Sequence, residues 1–81
     1  MEAASLTLPA LGRAIRIARA ERDKTQAELA TEADLHRTYV SGVERGTKNV
    51  SVDALARIAE SLEMKPSELL ARAERLTVEG T

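Results

Sequence analysis

Apolar residues recur every three or four positions along most of this 81-residue chain, which is the spacing of an amphipathic α-helix. No segment shows the strict alternation of apolar and polar residues that is typical of a strand. The periodicity predicts helices over residues 8–23, 25–33, 37–45, 52–62 and 66–77. We therefore expect an all-α fold, a compact five-helix domain over residues 8–77 between an N-terminal extension (1–7) and a C-terminal tail (78–81).

Residues that favour helix ends mark where several of these helices start and stop. Thr25 and Glu28, three positions apart, predict a capping box at the start of the second helix. Ser51 is expected to cap the fourth helix. Asp34 stands where a left-handed residue often closes a helix, and Gly46 is a stop signal for the third helix. The second and third helices are thus expected to be joined by a short turn.

The third helix has one apolar side and one polar side. At about 100° per residue, Val40 and Val43 fall on one side. The opposite side, within an arc of about 100°, holds Arg37, Thr38, Ser41 and Arg45. Two short helices joined by a tight turn, the second with a polar outer face, are typical of a helix-turn-helix, whose second helix enters the major groove of DNA. By spacing alone, a solvated helix surface explains the same pattern, and both interpretations stay open.

Two positions of the third helix depart from what helices prefer. Gly42 lies inside it, where glycine costs about 1 kcal/mol relative to alanine. We expect that a neighbouring helix or the backbone of a ligand comes close to Gly42, or that the position is not optimised. His36 precedes the helix and can cap it only weakly, so its first turn is expected to be less well fixed. A single histidine without cysteine or a carboxylate cluster is not expected to bind a metal.

The last two helices carry wide apolar faces. In the fourth helix this face is predicted to contain Val52, Leu55, Ala56, Ile58, Ala59 and Leu62. A core of four short helices does not need every apolar residue of the fifth, so the surplus predicts an isologous interface between two copies of the chain. The predicted interface residues are Met64, Leu69, Leu70, Ala73 and Leu76. The alternative is that the fifth helix only completes the core of one chain.

Composition narrows the class of protein. Cysteine is absent, which excludes disulfides and cysteine-based metal sites, and no apolar run approaches the ~18 residues of a membrane span. The N-terminal stretch lacks the positive start and long apolar run of a signal peptide, so we expect a cytoplasmic protein. No cofactor, metal or small-molecule ligand is expected. The net charge is -1, with eight lysines and arginines against six acidic residues over 13–48 and four against six over 49–81.

Residues 11–70 resemble the phage-repressor-like helix-turn-helix family throughout. The resemblance is carried by LG opening the first helix, TQAELA opening the second, VERG closing the third and SVDALARIAESL in the fourth. More narrowly, LHRTYVSGVERG resembles the recognition region of the controller proteins of restriction-modification systems, which are small single-domain dimers. The resemblance implies a lambda-repressor-like fold. It also implies a dimeric activator or repressor that binds a near-palindromic operator in double-stranded DNA, at its own promoter.

The same resemblance assigns roles to individual residues. Base contacts are expected from Arg37, Thr38, Tyr39 and Ser41. Arg37 is the foremost candidate because its planar fork suits the O6 and N7 atoms of guanine. For Tyr39 the alternative is a ring at the edge of the core with its hydroxyl in water. Phosphate contacts are expected from Gln26, Arg45, Thr47, Lys48 and Asn49.

One acidic residue of the third helix needs a different role. DNA would repel the carboxylate of Glu44, and the resemblance instead pairs Glu44 with Arg19, which ties the third helix to the first. Arg19 lies beside the apolar stripe of the first helix, in agreement with a half-buried partner. Gln26 is a further candidate to brace the third helix.

Two other classes of function stand against a DNA-binding regulator. The main alternative is an antitoxin, or another protein that neutralises a partner, which a co-purifying partner would reveal. Antitoxins usually carry a tail that wraps the toxin, and only a few residues follow the fifth helix here. An enzyme is not expected, because the sequence places no nucleophile beside a base and contains no phosphate-binding loop or metal cluster.

Overall fold

Five helices follow the apolar periodicity of the chain. The computed structural model describes residues 6–79, and in that range it contains α1 (Leu8–Glu21), α2 (Gln26–Ala33), α3 (Arg37–Arg45), α4 (Val52–Ser61) and α5 (Pro66–Glu79). The predicted all-α, five-helix fold is confirmed, with α5 two residues longer than predicted. Residues 1–5 of the predicted extension and 80–81 of the predicted tail lie outside the described range. No helix in this range has the length and apolarity needed to cross a membrane.

Local hydrogen bonds set the helix ends where the sequence indicated them. The Thr25 hydroxyl accepts from the Glu28 amide at 3.1 Å, and the Glu28 carboxylate accepts from the Thr25 amide at 2.8 Å, which forms the predicted capping box. Ser51 Oγ accepts from the Ala54 amide at 3.0 Å. Asp34 closes α2 with a φ of 57°, in the left-handed region. These ends leave only residues 34–36 between α2 and α3.

The core consists of aliphatic side chains drawn from all five helices. Its largest fully buried members are Ile15, Leu29, Val40, Ile58, Leu62 and Leu69. Helix α1 packs against both α3 and α5, whereas α4 packs against α2 and α5. The apolar side of α3 therefore faces the interior, and its polar side is left for the surface.

Helices α1 and α3 approach each other almost backbone to backbone at Gly12. A Cβ atom on Gly12 would lie 2.5 Å from the carbonyl oxygen of Val43 and would overlap that of Glu44. Any larger residue at position 12 would force the two helices apart. Gly12 therefore fixes how closely the inner side of α3 lies against α1, a role that the sequence pattern did not predict.

The structure corrects the predicted dimer interface. Leu69 and Ala73 are fully buried in the core of a single chain, so they have no surface to offer a second copy. Met64, Leu70 and Leu76 are half-buried, but Leu70 and Leu76 lie about 120° apart around α5 and cannot share one flat surface. The five residues therefore do not form one interface, because α1 and α4 cover α5 from two sides.

The predicted apolar face of α4 also needs correction at its first residue. Leu55, Ile58, Ala59 and Leu62 are buried as predicted. Val52 is instead 84% exposed, and Ala56 is exposed as well. Both lie on the edge of the apolar stripe, where a helical wheel alone does not show whether a neighbouring helix covers them. This leaves an apolar surface at the start of α4.

Candidate nucleic-acid interface

The outer face of α3 is open to solvent. Arg37, Thr38 and Arg45 are exposed and Ser41 is half-buried. The Arg45 guanidinium donates to Ser41 Oγ at 2.5 Å, which lays the arginine along the helix surface. Four of the residues predicted to meet DNA thus occupy one continuous face, with two cationic groups on it.

The single acidic residue of α3, Glu44, is buried rather than exposed. Glu44 is 3% exposed, and both of its carboxylate oxygens are engaged. Arg19 donates from Nε to Oε2 at 2.8 Å and from Nη2 to Oε1 at 3.0 Å, and Gln26 Nε2 donates to Oε1 at 2.9 Å. The structure thus brings Arg19, Gln26 and Glu44 together, and one carboxylate joins α1, α2 and α3. Gln26 braces α3 as the sequence suggested.

A lysine that sequence reasoning missed extends this network. Arg19 Nη1 donates to the carbonyl oxygen of Lys24 at 2.8 Å. The Lys24 ammonium in turn donates to the carbonyl oxygen of Ser61 at 2.5 Å and forms an ion pair with Glu32. These contacts connect the turn after α1 to the end of α4. Nothing in the residue spacing indicates them, because they depend on how the α1–α2 turn lies across α4.

Two residues of the loop after α3, Thr47 and Asn49, form hydrogen bonds with that helix. The amide and the hydroxyl of Thr47 both donate to the carbonyl oxygen of Gly42, at 2.9 Å and 3.2 Å. Tyr39 is half-buried with its ring packed against the core, and its hydroxyl donates to the carbonyl oxygen of Asn49 at 3.2 Å. We expected this hydroxyl either to meet DNA or to lie in water, and neither expectation included a bond to the loop after α3.

Lys48 covers the glycine inside α3. A Cβ atom on Gly42 would overlap Cγ of Lys48 and lie 3.5 Å from its Cβ and Cδ. The expectation of a neighbouring helix at Gly42 is therefore wrong, since the side chain that lies over this glycine comes from the loop after α3. Lys48 is nevertheless exposed, so its stem lies on α3 while its ammonium remains at the surface.

His36 stands at the start of α3 as the N-terminal cap residue. Within the described range its side chain makes no capping hydrogen bond. The weak cap expected from the sequence agrees with this geometry. The first turn of α3 is thus held by its packing and by the α2–α3 turn.

Fold and surface together define a helix-turn-helix unit, in which α2 and α3 are joined by three residues and α3 presents an open polar face. Residues 15–69 match the family model HTH_3, described as helix-turn-helix. The control protein C.BamHI from Bacillus amyloliquefaciens is 52% identical over 46 residues, which is 57% of this chain and 57% of that protein. The chain is thus matched to little more than half the length of that relative.

Solved structures show the same likeness. The clp gene regulator ClgR from Corynebacterium glutamicum superposes with a TM-score of 0.86 and 33% identity, covering 89% of this chain and 77% of that one. The controller C.Esp1396I, solved bound to a 19 base pair DNA duplex, has a TM-score of 0.76 and 31% identity, covering 84% of this chain and 91% of that one. The chain belongs to the helix-turn-helix family that the family model describes. The resemblance seen in the sequence is confirmed.

The network around Glu44 gives a testable prediction about stability. Glu44→Ala leaves Arg19 without its carboxylate partner, and removing one member of a buried ion pair costs about 3–5 kcal/mol. We expect a loss near the lower end, about 3 kcal/mol, because the Arg19 side chain is still 20% exposed. Urea unfolding followed by circular dichroism measures the loss.

Glu60→Ala is the matched control, since Glu60 is exposed on α4 and an exposed substitution changes stability by about 0.5 kcal/mol or less. If both variants unfold at the same urea concentration as the wild type, the Glu44 network does not hold α3 in place.

Proposed function

We propose that this chain is a sequence-specific transcriptional regulator that binds double-stranded DNA through the outer face of α3. The observation that carries the proposal is the sorting of charge on this helix, where Arg37 and Arg45 face solvent while Glu44 is buried and paired. A helix face that only meets water gains nothing when Glu44 is buried, because removing the Glu44 carboxylate and the Arg19 guanidinium from water is costly. A surface that meets phosphates needs its negative charge removed. The sorting therefore favours a DNA-binding face over a merely solvated one.

The base contacts are proposed for the start of α3. N-terminal residues of a recognition helix contact base edges in the major groove, and Arg37 and Thr38 form the first turn. The guanidinium of Arg37 matches the two acceptors of guanine, a pair that is worth about 1–3 kcal/mol of discrimination. Ser41 lies one turn further on the same face. Tyr39 is proposed to contribute from the flank of this face, beside the loop that its hydroxyl holds.

The phosphate contacts are proposed for the two ends of the helix-turn-helix unit. Arg45, Thr47, Lys48 and Asn49 surround the end of α3 and contribute two positive charges. Gln26 lies in the first turn of α2, where free amide groups and the helix dipole favour an anion. Its side-chain nitrogen carries two hydrogens, and the bond to Glu44 uses one of them. Such contacts position the protein without specifying the sequence.

The relatives support a narrower biological role. The control protein and the DNA-bound controller named above support a role as a regulator. We propose that it acts in the cytoplasm as a controller of a restriction-modification system, on a near-palindromic operator at its own promoter. A near-palindromic operator suits such a regulator, because a single α3 covers only a few base pairs and two copies of the chain read two half-sites.

The active form is proposed to be a dimer that uses the start of α4. Val52 is the most exposed large apolar residue in the described range, and Ala56, one turn further along α4, is exposed as well. Arg72 and Leu76 on α5 pack toward α1 instead. Val52 follows the loop that leaves α3, so this surface adjoins the helix-turn-helix unit along the chain. Two copies joined there would have to present their α3 helices about 34 Å apart to fit successive major grooves.

Selection of bound duplexes from a random pool tests the base contacts. The wild type is expected to select a two-fold symmetric site. In Arg37→Ala the preference at one position per half-site should relax by roughly tenfold, because a bidentate arginine–guanine pair is lost. Sequencing of the bound pool gives the preference directly.

Lys48→Ala is the control for this selection. It should weaken binding to all sequences alike and reduce the dependence of log K on log salt by about one, the signature of one lost phosphate contact. Selection of an asymmetric or random pool by the wild type would contradict the proposed function.

Sedimentation at micromolar concentration tests the dimer. Val52→Glu should yield a monomer, because it places a carboxylate in an apolar contact, while its exposed position leaves the fold of each chain intact. Ile17→Glu on α1, also exposed, is the matched control and should remain dimeric. A monomer with Ile17→Glu and a dimer with Val52→Glu would move the interface to the groove between α1 and α5.

A further inference from the structure

The space over Gly42 holds the stem of Lys48. Gly42 is buried even though it lies on the side of α3 that faces away from the valines, because Lys48 crosses it. At 100° per residue, Gly42 lies about 40° around the helix from Thr38, at the edge of the outer face. The side chain of Lys48 therefore adds one cation to that face, although Lys48 comes after the end of α3 in the sequence.

The residues on both sides of Lys48 are attached to the same helix. Thr47 donates twice to the carbonyl oxygen of Gly42, and Asn49 accepts from the hydroxyl of Tyr39. Residues 47, 48 and 49 thus each contact α3. Thr47 and Asn49 do so by hydrogen bonds, and Lys48 does so by packing against Gly42. The loop is therefore held against the helix over these three residues.

We propose that Gly42 is a positioning residue: by carrying no side chain, it lets Lys48 lie along α3, so that the phosphate contact of Lys48 is held in register with the base contacts of α3. The inference rests on the proposed function, since it assigns Gly42 a part in DNA binding. Its physical basis is preorganisation, because a lysine already held in its bound arrangement loses less freedom on binding. The two contacts then fit only one placement of the helix in the groove.

Stability and DNA binding separate this role from a merely structural one. Alanine is a better helix former than glycine, and the exposed Lys48 side chain can rotate away from a new methyl group. Gly42→Ala is therefore expected to fold with an unchanged or higher melting temperature. A residue needed only for the fold would show the opposite sign.

The test compares four proteins on one duplex that carries the selected operator: the wild type, Gly42→Ala, Lys48→Ala and the double variant. Binding is measured by fluorescence anisotropy over a series of salt concentrations. Lys48→Ala should lose about tenfold in affinity, the size of one charge-assisted hydrogen bond. Gly42→Ala should lose severalfold, up to that value, and its salt dependence should become shallower by up to about one.

The double variant decides whether Gly42 acts through Lys48. We expect it to bind as Lys48→Ala does, with no further loss, because two changes that remove one interaction are not additive. Thr31→Ala is the matched control, since Thr31 is exposed on α2 and the change raises helix propensity away from the loop. It should leave the affinity unchanged.

Three results would overturn the inference. They are wild-type affinity in Gly42→Ala, a Gly42→Ala loss that persists in full in the Lys48→Ala background, and a lowered melting temperature in Gly42→Ala. In each of these cases the wild type still binds its operator, and the proposed function stands. A wild type that binds no operator would remove the proposed function and this inference together.

Discussion

A buried carboxylate, that of Glu44, connects the three helices on which the proposed binding face depends. Arg19 on α1 donates hydrogen bonds to both of its oxygens, and Gln26 on α2 donates to one of them. A buried ion pair adds little to the free energy of unfolding when compared with apolar residues of similar size. Removing only one partner, however, lowers that free energy strongly, because the other charge stays buried and unpaired. The geometric effect of the pair is more specific, because the planar guanidinium fork can donate to both carboxylate oxygens in only a few orientations. The rotation of α3 about its own axis is thereby set, and with it the side that faces outward.

The outer face follows from that rotation. Burial of Glu44 removes the only negative charge among residues 37–45 from the surface and leaves Arg37 and Arg45 there. Close contact at Gly12 keeps α3 against α1, and the network through Lys24 joins the same region to α4. The helix that is proposed to enter DNA is thus held by contacts with α1 and α2. Its loop is carried along with it, since Thr47 and Asn49 are bonded to α3.

Features governed by neighbouring residues were predictable from the sequence, whereas features governed by distant packing were not. The capping box at Thr25 and the left-handed Asp34 depend on a few adjacent residues, and both occur as predicted. The pairing of Arg19 with Glu44, 25 positions apart, came from family resemblance rather than from spacing. A helical wheel could not show that Leu69 is covered by other helices or that Val52 is not. The glycine at position 42 signalled a close approach, but only the path of the loop identifies Lys48 as the partner.

The central claim, that α3 meets DNA with the side opposite Val40 and Val43, is tested most directly by nuclear magnetic resonance. Isotope-labelled protein is titrated with the duplex that it selects, and the amide and side-chain signals are followed residue by residue. The account predicts that the largest changes fall on Arg37, Thr38 and Ser41 and on residues 45–49, while signals on the α1–α5 side stay nearly unchanged. Changes concentrated on α1 and α5, with α3 unaffected, would contradict it.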